Sequence, residues 1–208
     1  MEPKDAYRSW SEQYDTNINK TRDLEGITIR KELAGMSFKN CLEIGCGTGK
    51  NSEWLLTISD KLTAVDISPE MIAKAKEKIL SDKVSFIQAD INNEWIFVKE
   101  QFDLISFSLV LEHIEDLNHI FFEVSKALSN EGKVYIGELH PFKQYTGTKA
   151  RFETEKGIQT VTCFDHNISD FTNSAKKNGI IISEVNEYFD KEDRTNIPRI
   201  LTLLFRKK

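Results

Sequence analysis

One short stretch limits what this chain can become. Asn40-Cys41-Leu42-Glu43-Ile44-Gly45-Cys46-Gly47-Thr48-Gly49-Lys50 runs an apolar strand pattern straight into a turn with glycine at every second position. Glycine allows backbone angles and a closeness of approach that a Cβ would obstruct, so the turn predicts a tight loop on which something bulky can rest. A helix is expected from Lys50 to about Ile58. Its unpaired N–H groups and positive dipole end would face the same place, which suits an anionic or polar ligand. A tight strand-to-helix turn that holds nothing is the plain alternative.

The rest of the chain repeats strand and helix around that turn. Lys61–Asp66 reads as a second strand ending in a carboxylate, with Ser68 and Pro69 as N-cap and first residue of a helix whose apolar face is Met71, Ile72, Ala75 and Ile79. Asp66 stands 21 residues after Gly45, placed to accept hydrogen bonds from a ribose diol. Val84–Ile91 is a third strand, delivering Asp90, and Phe102–Ser108 a fourth. From there Leu109–His113 leads into a helix carrying Ile114, Leu117, Phe121, Val124 and Leu128, with Gly132 read as its stop. Lys133–Leu139 is a fifth strand. After an aperiodic stretch and a polar helix near Ser169–Asn178, the runs Ile180–Val185 and Ile200–Phe205 are separated by too short a loop for a helical crossover, so they pair antiparallel. In a doubly wound sheet the C-terminal strand ends line one crevice, which brings Gly45, Asp66 and Asp90 together.

A dinucleotide fingerprint would need its third glycine where Lys50 stands; the pattern is instead E-x-G-x-G-x-G, starting at Glu43. Here the chain resembles the class I S-adenosylmethionine-dependent methyltransferases that act on small molecules. Trp10-Ser11-Glu12-Gln13-Tyr14-Asp15 is similar to their W-x-x-x-Y-D lead-in, and F-D-L-I-S-F-S-L-V-L-E-H from Phe102 to their fourth motif. The resemblance covers nearly the whole chain. It implies an α/β, Rossmann-like fold: a doubly wound, mostly parallel seven-stranded sheet of order 3-2-1-4-5-7-6, last strand antiparallel, with helices on both faces.

The same resemblance implies S-adenosylmethionine as cofactor, S-adenosylhomocysteine as product, and no metal. The glycine turn would hold the cofactor through Glu43, Gly45, Cys46, Gly47 and Gly49, with Tyr14 closing over the cofactor or the substrate. Asp66, followed by Ile67 and Met71, would take the ribose; Asp90 would meet the adenine amino group and Ile91 flank the ring. Phe107, through its backbone, and Ser108 would contact the methionine part and face the methyl acceptor. His113 and His140, after the fourth and fifth strands, are candidates for a catalytic base, and each reads equally as a histidine held by local hydrogen bonds.

With 208 residues the chain fits one domain, 1–208: a helical lead-in or cap over 1–39, a cofactor-binding core over 40–139, a candidate substrate-side insertion over 140–166, and a closing helix and hairpin over 167–208. The insertion mixes Phe142, Tyr145, Arg151, Phe152 and Phe164 with two histidines, which suits a pocket lining or a local core. Lys and Arg total 28 against 33 Asp and Glu, a net charge of −5 with the signs intermixed, so nucleic acid is not the expected partner. Three cysteines, two of them at the strand and glycine turn, make no disulfide framework; a soluble cytoplasmic protein, monomer or homodimer, without leader or membrane segment is expected. Zinc spacings, a G-x-S-x-G elbow and a phosphate-binding G-x-x-x-x-G-K-[ST] loop do not occur. Three functions stay in view: methyl transfer by in-line displacement to an O, N or C nucleophile of a small molecule; a cofactor-binding regulatory protein without catalysis; and, disfavoured by Lys50 and the closing hairpin, an NAD-dependent oxidoreductase.

Overall fold

The structure is a computed structural model that describes every residue except 12–13, 17, 155–156, 192–193 and 195; for 9, 10, 151–154 and 158 it describes the backbone alone. Glu12 and Gln13 of the lead-in pattern, and the side chains of Trp10, Arg151 and Phe152, therefore lie outside the described part. Two helices, α1 (Pro3–Trp10) and α2 (Lys20–Glu32), precede β1 (Phe38–Ile44). Then follow α3 (Lys50–Leu55), β2 (Ser59–Asp66), α4 (Pro69–Lys78), β3 (Val84–Gln88), β4 (Phe102–Ser108), a 3-10 turn at Leu111–His113, and α5 (Leu117–Ala127). The chain continues through β5 (Leu128–Leu139), α6 (Pro141–Tyr145), a small hairpin of β6 (Arg151–Thr154) and β7 (Gly157–Thr160), α7 (Ile168–Lys177), β8 (Ile180–Tyr188) and β9 (Ile200–Lys207).

Seven strands form one sheet in the order β3-β2-β1-β4-β5-β9-β8. The first five run parallel, and β9 enters antiparallel between β5 and β8. This is the expected arrangement, with the β6–β7 hairpin standing outside the sheet. Strand alternation divides the core in two. Leu42 and Ile44 of β1, Ile105 and Phe107 of β4, and Val134 and Ile136 of β5 pack in one cluster with Ile120, Phe121 and Val124 of α5 and Phe171 of α7. Cys41, Leu104 and Tyr135, one residue out of phase, point to the other face and pack on Ile29 and Leu33 of α2 and Leu55 of α3.

Several boundaries move from their sequence positions, each for a local reason. α3 ends at Leu55 because Thr57 and Ile58 turn back onto the carbonyls of Trp54 and Leu55 before β2 begins. The helix expected from His113 starts at Leu117, where the Asp116 side chain accepts the N–H groups of Asn118 and His119. Gly132 is not a helix stop but lies inside β5; a Cβ there would sit 2.6 Å from Leu128 Cδ1 and 3.0 Å from the Phe102 carbonyl oxygen. Ser68 does cap α4, accepting from Met71 N at 3.2 Å, with Pro69 in the first position. Among the described residues, no helix is long and apolar enough to cross a membrane.

Candidate functional site

The C-terminal ends of β1, β2 and β4 and the loop after β3 open into a cleft roofed by α1, with about 990 Å³ of empty space counted out to its solvent-open mouth. The three glycines of the turn serve it differently. Gly47, at φ +53°, has nothing within 4 Å of where a Cβ would stand and offers bare backbone to the cleft. Gly45, at φ +72°, lets the loop after β4 close down; a Cβ would lie 2.2 Å from Val110 Cγ2. Gly49, at φ +83°, faces away, and a Cβ there would meet Ile79 Cδ1 at 2.8 Å and Ala75 Cβ at 3.2 Å, so its role is to let α4 pack.

Asp66 ends β2 with its carboxylate pinned by backbone: Gly47 N–H donates to Oδ2 and Ser68 N–H to Oδ1, both at 2.8 Å. Burial raises its pKa, opposed by these hydrogen bonds. The Ile67 N–H adds to these bonds, so the group is fixed in direction, and the carboxylate's remaining lone-pair capacity is still able to accept. Asp90, past the end of β3, uses Oδ1 for the Asn92 backbone and side-chain amides. Together with Gly45, Gly47, Ile67, Met71, Ile91, Ser108 and Tyr14 these residues line the cleft, as does His113.

Four expected cofactor residues lie behind the lining. Glu43 is buried inside β1, accepts the Ser52 hydroxyl, and is pushed by burial to a pKa of about 8. Cys46 and Phe107 turn their side chains into the two apolar clusters, and Gly49 faces α4. His140 is not brought to the cleft. It is fully buried as N-cap of α6, with Nδ1 accepting from Phe142 N–H at 3.1 Å and Nε2 donating to Glu187 Oε1 at 3.0 Å. Both ring nitrogens are thus spent on structure.

Further residues complete the arrangement. Tyr7 of α1 reaches the cleft and its hydroxyl lies 2.9 Å from His113 Nε2. His113 Nδ1 lies 2.8 Å from the Thr162 carbonyl oxygen, an acceptor only, so Nδ1 carries the proton and Nε2 accepts from Tyr7 in the neutral ring. Glu138, an acid in the otherwise apolar end of β5, accepts the N–H groups of Val110 and Leu111 at 2.9 and 2.8 Å and so holds the cleft wall, where Leu109 sits at φ +58°. Burial raises its pKa to about 8. Glu25 of α2 is buried against the floor, taking hydrogen bonds from Tyr135 OH at 3.1 Å, Asn51 Nδ2 at 3.0 Å and Ser108. It fits because residue 137 is glycine: a Cβ there would stand 2.8 Å from Glu25 Oε1 and 2.5 Å from the Tyr135 hydroxyl. The anomaly of Glu138 and Glu43 is visible in sequence as acids inside apolar strands; Glu25, one acid among many charges on a helix, carries no such mark.

The site residues present suit a nucleoside-bearing ligand: a bare backbone turn, and carboxylates at the ends of neighbouring strands. Among the described residues no group of three or more His, Cys, Asp or Glu is placed to hold a metal ion. Residues 42–136 match the protein family described as Methyltransferase domain. The chain is 31% identical over 125 residues to malonyl-[acyl-carrier protein] O-methyltransferase 1 of Ilyobacter polytropus, covering 59% of this chain and 43% of that one. It is 30% identical over 128 residues to ubiquinone biosynthesis O-methyltransferase of Xanthomonas euvesicatoria pv. vesicatoria, covering 59% and 51%. The match thus spans about half or less of these relatives' lengths. Among solved structures, the DhpI complex with S-adenosylhomocysteine superposes with a TM-score of 0.76 at 24% identity, over 97% of this chain and 93% of that one.

Proposed function

We propose that this chain is a class I S-adenosylmethionine-dependent methyltransferase that transfers the methyl group of S-adenosylmethionine to a hydroxyl oxygen of a small molecule, as one catalytic unit spanning 1–208. The observation that carries the reading is the convergence of Gly47, Asp66 and Asp90 on one cleft beside Ser108 and His113. Both curated relatives above are O-methyltransferases by name, which supports oxygen as the nucleophile.

The residues divide by task. Gly47 offers backbone to the cofactor, Asp66 takes the ribose hydroxyls, and Asp90 with Ile91 takes the base. The cofactor, when bound, supplies an electrophilic methyl group. What the chain must do is hold the acceptor oxygen in line, keep water out beneath α1, and accept a proton where the nucleophile carries one. His113 lines the cleft, with Nε2 paired to the Tyr7 hydroxyl, and is the base of this reading; His140, buried away from the cleft, is not.

Calorimetric titration with S-adenosylhomocysteine tests the cofactor half. Binding is expected in the parent, and Asp66→Ala should weaken it by about 1.5–3 kcal/mol, the range for hydrogen bonds to a charged group. Affinity within twofold of the parent would remove Asp66 from the site. Labelled S-adenosylmethionine incubated with a metabolite extract tests the transfer, with label expected in small-molecule product.

A further inference from the structure

We propose that Tyr7 and His113 form a proton relay, in which the Tyr7 hydroxyl faces the acceptor and passes its proton to His113 Nε2. This rests on the methyl-transfer reading and names the group that meets the acceptor's proton. Both side chains line the cleft and lie 2.9 Å apart, although 106 residues separate them. The Thr162 carbonyl at 2.8 Å fixes the ring so that its accepting nitrogen points at the phenol. The rings meet edge-on, with centroids 5.5 Å apart, which holds the hydroxyl to that nitrogen.

The step balances as follows. The acceptor O–H bond breaks and its proton passes to the Tyr7 oxygen, while the proton of Tyr7 passes to Nε2; the phenol is restored and the ring becomes imidazolium. The positive charge that leaves the methyl donor reappears on His113. Burial raises the Tyr7 pKa well above 10, so the phenol rests as a donor rather than a phenolate. The groups that face the pair are Glu112, with Oε1 4.0 Å from Nε2; Cys163, with Sγ 3.8 Å from Nδ1; and Tyr14, whose ring centroid lies 6.2 Å from that of Tyr7. Asp66 adds a more distant negative charge. The Cys163 thiol is pushed up to about 12 by burial, which leaves it no part as a nucleophile. An imidazolium formed here has the Glu112 carboxyl beside it and the Thr162 carbonyl on its far nitrogen.

The test uses the whole chain and Tyr7→Phe, which keeps the ring and removes only the hydroxyl. Nitrogen NMR of the imidazole should show His113 protonated on Nδ1 with Nε2 accepting a hydrogen bond, and in Tyr7→Phe the Nε2 signal should move to that of an unbonded acceptor. An Nε2-protonated ring in the parent protein overturns the relay whatever the substrate proves to be. With labelled S-adenosylmethionine and the metabolite extract, Tyr7→Phe should transfer roughly 10²- to 10⁴-fold more slowly, the range for a lost acid–base group, with S-adenosylhomocysteine affinity unchanged within twofold. Undiminished transfer, or an equal fall in affinity and transfer, makes Tyr7 a latch for α1 and refutes the relay. Absence of both cofactor binding and transfer in the parent would instead sink the methyl-transfer reading, and would be recognised as such because the NMR result stands apart from it.

Discussion

The two halves of the cleft are built by different means. Beneath the glycine turn the positions are set by backbone: parallel pairing of β1 with β2 and β4 fixes where Gly45, Asp66 and Ser108 stand, and Asp66 is itself held by two main-chain N–H groups. Under α1 the positions are set by side chains that meet across long stretches of sequence. Tyr7 finds His113, His113 finds Thr162, and Arg8 Nε finds Glu70 at 3.0 Å. A sheet edge is held along its length by ladder hydrogen bonds, whereas α1 is held by scattered contacts: these side-chain bonds, the Thr162 N–H to the Met1 carbonyl at 2.9 Å, and Ala6 against Val161.

The largest expected effect tests the stiff half. Gly45→Val combines a left-handed φ with a Cβ driven into Val110, so it should cost about 2–5 kcal/mol from strain and overpacking together. Gly47→Val meets no neighbour and should cost only about 1–2 kcal/mol of strain, yet still block the cofactor. Urea unfolding of both variants, alongside Gly45→Ala paired with Val110→Ala to relieve the clash, would separate the two costs; equal losses for both valines would mean the loop after β4 is not a rigid wall.

A second, smaller effect concerns the acid behind that wall. Glu138 has a folded pKa of about 8 against an ordinary value of 4.5, so the folded state binds its proton more tightly. Its contribution is therefore complete below pH 4.5 and is lost as pH rises through about 8, a decline on the order of a few kcal/mol. Glu43, pushed to about 8 as well, adds in the same direction. Thermal unfolding from pH 5 to 8 should show Tm falling, and Glu138→Gln, whose amide oxygen can still accept from Val110 and Leu111, should flatten the slope. An unchanged slope would mean Glu138 is ionised throughout.

The smallest effect lies in the roof. Arg8 and Glu70 are 52% and 36% exposed, so Arg8→Ala should cost only about 0.2–1 kcal/mol of global stability. Hydrogen exchange should nevertheless quicken in α1 and leave β1 and β4 as they were; uniform quickening would show the two halves to be one cooperative unit.

The same division explains what could be read from the sequence. Strands β1, β2 and β4 announce themselves as apolar runs, and the sheet rule then places Gly45, Asp66 and Asp90 at one edge without any knowledge of side-chain packing. Gly132 misled because Ser129, Asn130 and Glu131 break the apolar pattern just where β5 has begun, at a point where its pairing with β4 shifts register. His140 stands at the right strand end, but capping and pairing with Glu187 are tertiary facts. Tyr7 stands in the sequence as one of several aromatic residues ahead of β1, readable equally as part of an amphipathic core face or as facing a ligand, and its histidine partner lies 106 residues away.

Glycine at 137 and glutamate at 25 form a lock whose two parts come from distant stretches of the chain. The acid of α2 occupies the volume that any side chain on that position of β5 would need, and the Tyr135 hydroxyl fills the remainder. A chimera that received its first helices from a related protein would therefore have to bring the residue at position 137 along with them. Exchanged alone, either part leaves a buried acid without room or a void lined by a phenol, a serine and an amide with nothing between them. The lead-in is in this sense not an interchangeable cover but a piece cut to this particular sheet, and recombination between relatives should succeed only where both cuts are inherited together.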